Sequence, residues 1–216
     1  QIGNFVDVPD ETPSERLSEL RRVHRIPEEA LVVFSLGRFI PKKGFDLLLS
    51  AAAETARSVH HRPVFFVVAG DGPLRKQLLR QARQSDLGAT IRWVGWQSDP
   101  TPFFHLSHLF VCPSHHEPLG NVILEAWAHR LPVIATRTAG AAELISEGHN
   151  GCIVPVGDAA SLAVAIADLL ADDTLRETLA RHGVRTIAER HSRGAVITAY
   201  LGMYDELRSK FGKQLI

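Results

Sequence analysis

The chain has 216 residues, 45% of them hydrophobic and 22% charged, with Lys plus Arg and Asp plus Glu balanced at 24 each. That composition excludes collagen-like, disulfide-scaffold and disordered chains and predicts one folded core, or a large domain with a tail. The zero net charge leaves no global field to draw in nucleic acid or an anionic membrane, so any basic site must be local.

In chain order, residues 1–30 read as a lead-in from an interdomain region, with one short helix from Pro13 to His24. Apolar runs of strand length then alternate with stretches of helical period. Leu31 to Gly37, Val64 to Gly70, Ile91 to Gly95, Leu109 to Cys112 and Pro132 to Thr136 are the predicted strands. Gly44 to Val59, Pro73 to Ser85, Thr101 to Leu106, Gly120 to His129 and Gly140 to Glu147 are the predicted crossover helices. This alternation predicts an α/β chain, a Rossmann-like parallel sheet with helices on both faces. Cys152 to Val156, bounded by Asn150-Gly151 and Gly157-Asp158, reads as an edge strand. Beyond it the chain is helical: Asp158 caps a run to Leu170, Asp172 or Asp173 opens a second, and Ser192 caps a last helix reaching Leu207. The predicted division is lead-in 1–30, body 31–190 and C-terminal helix 191–216.

Cys112 and Cys152 stand alone, outside any CxxC or Cys/His cluster, which predicts buried free thiols and a reducing compartment. The chain starts at Gln1 without a Met or a basic-then-apolar leader, and no run nears the roughly 18 apolar residues that span a bilayer. These features predict a soluble piece of a longer protein.

Ligands of open parallel sheets bind beyond the carboxyl ends of the strands, which narrows the search to the strand-to-helix loops. Gly37-Arg38-Phe39-Ile40-Pro41-Lys42-Lys43-Gly44 places three cations in one such loop. Arg38 can grip an oxyanion through two N–H groups and Lys43 can act as a point charge, so phosphate is the natural guest; the alternative is a solvated basic loop. The GK[ST] ending of a Walker A loop is missing.

The second constellation is Glu117-Pro118-Leu119-Gly120-Asn121-Val122-Ile123-Leu124-Glu125. Glu117 falls in a loop, Gly120 opens a helix, and Glu125 lies roughly 7–8 Å along its axis, about the span from a phosphate to a ribose. N–H groups of Gly120, Asn121 and Val122 at the helix start could hold a diphosphate, with Glu125 accepting from ribose hydroxyls and Glu117 from a group beyond the phosphate. Surface charges are the alternative, but Glu125 sits among Val122, Ile123, Leu124, Ala126, Trp127 and Ala128, where an unpaired carboxylate would be costly. His115, His116 and Glu117 are neighbours in an extended loop and point to opposite sides, so no metal site is predicted.

EPLGNVILE followed by AWAHRLPVIAT resembles the E-x7-E signature of retaining glycosyltransferases of the GT-B fold, the glycosyl transferases group 1 family. GRFIPKKG, VVAGDGPLR and EGHNGCIVPVGDAASLAVAI resemble further segments of that family, in the right order, from about Gly37 to Leu170. The resemblance implies the C-terminal, donor-binding half of a GT-B enzyme, whose missing N-terminal domain would bind the acceptor. It implies a nucleotide diphosphate sugar as donor, such as a UDP- or GDP-hexose, and transfer of the hexosyl group with retention to a glycan, lipid or other acceptor. Carried over, Arg38 and Lys43 hold the diphosphate, Glu117 faces the donor sugar, and these three form the catalytic set. Glu125 takes the ribose, Gly120, Asn121 and Val122 cradle the phosphates, Gly70 belongs to the matching strand-end loop, and Gly95 and Trp96 lie against the base. Pro118 departs from a frequent Gly and removes one N–H donor, and Ala139-Gly140-Ala141-Ala142 departs from G-G-x-P.

No cofactor or metal is expected, because the cationic loop supplies what Mg²⁺ would supply to a leaving diphosphate. Nucleic acid is not an expected partner. A cytoplasmic setting follows, with peripheral association at the inner face of the membrane through the full-length protein. The other reading is a non-catalytic nucleotide or sugar-nucleotide binder on the same fold; an NAD-dependent oxidoreductase is disfavoured because GxGxxG does not follow the first strand.

Overall fold

The structure, a computed structural model, describes residues 4–55 and 58–211. A helix α1 (Ser14–Val23) precedes the first strand, β1 (Leu31–Leu36). There follow α2 (Phe45–Glu54), β2 (Ser58–Val59), β3 (Arg62–Ala69), α3 (Arg75–Gln84), β4 (Ile91–Gly95), α4 (Thr101–Leu106), β5 (Leu109–Cys112), α5 (Asn121–Ala128), β6 (Val133–Thr136), α6 (Ala139–Leu144) and β7 (Cys152–Val154). Three helices close the chain, α7 (Ala159–Ala171), α8 (Asp173–Thr186) and α9 (Arg193–Phe211), with a π turn at Ile187–His191 between the last two.

Six strands run parallel in the order β4-β3-β1-β5-β6-β7, as the alternation predicts, and the two-residue β2 pairs antiparallel with the start of β3. The chain builds outward from β1 through β3 to β4, then returns to the other side of β1 for β5, β6 and β7. The gap between β1 and β5 is therefore the topological switch point, where such sheets open a crevice.

Both faces are covered, so β1 is apolar without alternation from Leu31 to Phe34. Leu31 and Val33 pack with α2, α3 and α7, while Val32 and Phe34 pack with α1, α4, α5 and α6. Phe34 centres the second layer, its ring 4.9 Å from Phe104, 5.9 Å from Phe110 and 6.1 Å from Phe103. Each such fully buried side chain contributes roughly 1.5–3 kcal/mol. Leu20 and Ile26 are buried in the same layer, so the segment before β1 packs onto the body.

The helix starts named from the sequence are capped as expected. Asp158 Oδ1 accepts from the Ser161 amide at 3.0 Å, Asp172 Oδ1 from Leu175 at 2.8 Å and Ser192 Oγ from Ala195 at 3.3 Å. One element differs. The helix predicted over Gly44 to Val59 stops at Glu54: Thr55 turns extended, its hydroxyl donating to the Ala51 carbonyl at 2.9 Å, and Ser58–Val59 joins β3 through a turn in which His60 and His61 have positive φ. Residues 56 and 57 of that range lie outside the described residues, as do 212–216 of the C-terminal helix. Cys112 is buried, Cys152 half-buried, and both are free thiols. Among the described residues no helix is long and apolar enough to cross a membrane.

Candidate functional site

The loops that follow β1, β3 and β5 are stacked backbone on backbone, which glycine alone permits. At Gly70 (φ +134°) a β carbon would lie 1.9 Å from the Gly37 carbonyl oxygen, and at Gly44 (φ +65°) one would lie 1.9 Å from the Pro113 carbonyl oxygen. The His116 amide donates to the Lys42 carbonyl at 3.0 Å and fastens the β1 and β5 loops side by side.

Lys43 ends a 3-10 turn, Pro41–Lys43, and its ammonium donates to Glu117 Oε2 at 2.5 Å across the switch point. Glu117 is 8% exposed, and its backbone carbonyl accepts from the Gly140 amide at 2.8 Å, which anchors its main chain between β5 and α6. Its other oxygen faces the Gly120 amide at 3.4 Å. This corrects the expectation that the Gly120 N–H stands free at the start of α5: the loop's own carboxylate answers it first.

Glu125, one and a half turns into α5, is half-buried. Burial pushes its pKa up while the Lys43 ammonium pulls it down, so one lysine acts on both glutamates. Asn121 is also partnered, its Oδ1 accepting from Asn4 Nδ2 at 2.8 Å. Asn4, Phe5 and Val6 of the lead-in face Asn121, Leu124 and Glu125 across a hollow of about 220 Å³. Val122 is half-buried beside it.

A larger cleft of about 430 Å³ opens over β1, β3 and β4, with Gly37, Arg38, Gly70, Asp71, Trp96 and Gln97 among its walls. Arg38 is exposed and its guanidinium has no partner among the described residues. Trp96 is 72% exposed, and Gly95 supports the loop by accepting from the Gly70 amide at 2.7 Å. The sequence-named residues thus share one edge but not one cavity: Arg38, Gly70 and Trp96 line the cleft, Asn121 and Glu125 the smaller hollow, and Lys43 and Glu117 the switch point.

Asp71, Gln97 and Asn4 also line these hollows and were not named from the sequence. The first two sit in strand-end loops that position alone marks; nothing local marks Asn4. His115 turns to Asp46, 3.4 Å away, and among the described residues no group of three His, Cys, Asp or Glu could hold a metal ion. Chemically, the edge offers a free guanidinium, a carboxylate-bound ammonium and two glutamates of different burial, a set suited to an anion attached to hydroxyl-bearing groups.

This parallel α/β body is matched by the family model of glycosyl transferases group 1 over residues 18–185. The chain belongs to that family, and its sheet is the Rossmann-like C-terminal half of the GT-B fold. It is 41% identical over 175 residues to the lipopolysaccharide core biosynthesis glycosyltransferase LpsE of Rhizobium meliloti, covering 81% of this chain and 50% of that protein. Alr3699/HepE of Anabaena, solved with UDP and glucose, superposes with a TM-score of 0.79 at 26% identity over 92% of this chain and 53% of that one. The C-terminal domain of a glycosyl transferase group 1 protein (LpcC) of Francisella tularensis shares the fold, with a TM-score of 0.74 at 24% identity over 87% of this chain and 99% of that one. The chain spans about half the length of the curated relatives it matches.

Proposed function

We propose that this chain is the donor-binding half of a retaining hexosyltransferase that takes a nucleotide diphosphate sugar, with the acceptor, a glycan or lipid, held by a further N-terminal domain. The observation that carries this reading is the Lys43–Glu117 pair at the switch point, with unpartnered Arg38 at the mouth of the adjoining cleft. Two cations on one rim can neutralise a leaving diphosphate, and a buried carboxylate beside them can face the sugar as positive charge develops there. UDP and UDP-glucose in the HepE crystals and the lipopolysaccharide role in the name of LpsE support a nucleotide-sugar donor and a glycan product.

In this reading residues 31–190 hold the donor, 1–30 lead in from the partner domain and 191–216 form a terminal helix. Arg38 and Lys43 grip the diphosphate, Gly120, Asn121 and Val122 line its path, Glu125 takes the ribose, and Gly70, Gly95 and Trp96 flank the base. Glu117 rotates from Lys43 toward the sugar when the diphosphate takes the ammonium. No metal is required, since protein cations serve the leaving group; the full-length enzyme works in the cytoplasm, at the inner face of the membrane. Calorimetric titration with UDP, GDP and their hexose conjugates tests the reading, with and without EDTA. Tighter binding of an intact donor than of its diphosphate, unaffected by chelation, supports it. Equal affinity for both, with no transfer by the full-length protein, leaves a nucleotide binder.

A further inference from the structure

At the opposite edge, where the strands begin, His108 stands just before β5, about 13 Å from the carboxyl edge at 3.3 Å per residue. Its Nδ1 lies 3.1 Å from the Val32 amide and accepts that N–H. Nδ1 therefore carries no proton, and in the neutral ring the proton sits on Nε2. Nε2 in turn faces a guanidinium nitrogen of Arg62 at 3.3 Å. Arg62 is held in that direction by its Nε, which donates to the Glu29 carbonyl at 2.7 Å. Two donors are thus pressed together without an acceptor.

A hollow of about 300 Å³ opens over this pair, with Arg130, Arg176, Asp173 and Glu177 on its walls. Arg176 is committed to the carbonyls of Leu169 and Leu170, at 2.6 and 2.7 Å, and to Asp173. The Arg130 guanidinium has no partner among the described residues, and Glu177 pairs with neither Arg62 nor Arg130.

We propose that this hollow is a second ligand site, which takes a phosphate-class oxyanion through the Nε2–H of His108 and the guanidinium of Arg62, with Arg130 closing on its outer oxygens. An oxyanion is the one guest that turns two facing donors into two charge-assisted hydrogen bonds. The groups facing His108 agree with this: burial first, then Arg62, Arg176 and Arg21, with only Asp173 opposing, lower its pKa to about 4, and a bound anion reverses that field. Arg21 is itself answered by Glu28 at 3.6 Å. The phosphate can be free or the headgroup of a lipid; a hollow of about 320 Å³ along α8, which shares Arg130, Glu177 and Ala180 and adds Arg181 and Val184, leaves room for an attached chain.

The test reads the His108 imidazole by nitrogen-15 NMR in phosphate-free buffer as inorganic phosphate is added. The site predicts a saturable shift of Nε2, a rise in the His108 pKa, and at least about tenfold weaker binding in Arg62→Gln and in Arg130→Gln. Melting curves confirm that both variants fold, and Arg62→Lys is expected to restore part of the affinity. Co-sedimentation with phosphatidylcholine vesicles containing phosphatidate, lost in Arg130→Gln, identifies a lipid headgroup; saturable binding of soluble phosphate without sedimentation identifies the free anion. If millimolar phosphate leaves His108 unmoved and vesicles do not carry the chain down, or if both arginine variants bind as the parent does, the proposal is overturned.

Discussion

Lys43 Nζ donates to Glu117 Oε2 at 2.5 Å, so the cation best placed for an anionic ligand is already held by a carboxylate. A diphosphate at the switch point would compete with Glu117 for the ammonium, whose three N–H groups can also be shared between them. Arg38, without a partner, meets no such competition.

Replacing either cation by alanine is expected to weaken nucleoside diphosphate binding by about 1.5–3 kcal/mol, the range of a charge-assisted hydrogen bond. Calorimetry with UDP and GDP checks this. Unchanged affinity in both Arg38→Ala and Lys43→Ala would move the phosphate site elsewhere.

The two glutamates should separate. Glu125→Gln is expected to weaken nucleoside diphosphate and intact donor alike, whereas Glu117→Ala should leave the diphosphate bound as well or better, because Lys43 is freed, while the intact donor binds less well. In the full-length enzyme, turnover of the Glu117 variant should fall more than donor affinity, as for an interaction that strengthens in the transition state. Parallel titrations with diphosphate and sugar conjugate decide; equal loss of diphosphate affinity in both variants contradicts the arrangement.

Burial raises the pKa of Glu125, against the pull of Lys43, so the folded chain holds its proton more tightly than the unfolded chain does. The resulting cost is fully present above the folded pKa and disappears as pH falls below the unfolded value. Glu125→Gln should therefore stabilise the unliganded chain at neutral pH and lose that advantage in acid. Urea melts across the acidic range, read against the binding data, show whether stability and ligand affinity move in opposite directions.

His108 gives the opposite slope. Its pKa falls to about 4 from the ordinary 6.5, so the unfolded chain protonates first, and stability drops as pH descends between those values by up to about 3 kcal/mol. Below about 4 this group adds no further loss. Melts in phosphate-free buffer should show the drop in the parent and a flatter profile in His108→Asn, whose side-chain oxygen can still accept from Val32.

The alternation of buried strands with helices was legible because a doubly covered parallel sheet leaves continuous apolar runs such as that from Leu31 to Phe34 and that of Leu109–Cys112. The short β2 was not: two residues cannot show a period, and Ala51 and Ala52 carry the helical pattern toward it. Lys43 and Glu117 were legible as residue types in strand-end loops, and Glu125 as a carboxylate on the helix that follows. Their pairing was not, since Lys43 and Glu117 are 74 residues apart, and Asn4 reaches Asn121 across 117. Gly120 misled for a local reason: its amide faces Glu117, three residues back in the same loop, and the sequence does not show which way that side chain turns.

Gly70→Ala should cost about 2–3 kcal/mol in a denaturant melt, from its positive φ and from the Gly37 carbonyl oxygen that the new methyl would meet. A melt within error of the parent would show that the loops can part.

Where Gly44 and Gly70 let peptide groups stack against Pro113 and Gly37, the floor of the edge is main chain rather than side chain. Such a floor offers mutation almost nothing to alter gradually, because a first methyl already meets an oxygen. Divergence is channelled instead to the rim, at Arg38 and Trp96, whose side chains stand around the cleft, whereas Asp71 accepts from the Gly72 amide and Gln97 donates to the Val94 carbonyl and both help to hold the loops. A lineage built on this chassis can exchange Arg38 and Trp96 and try new ligands while the surface beneath them keeps its shape.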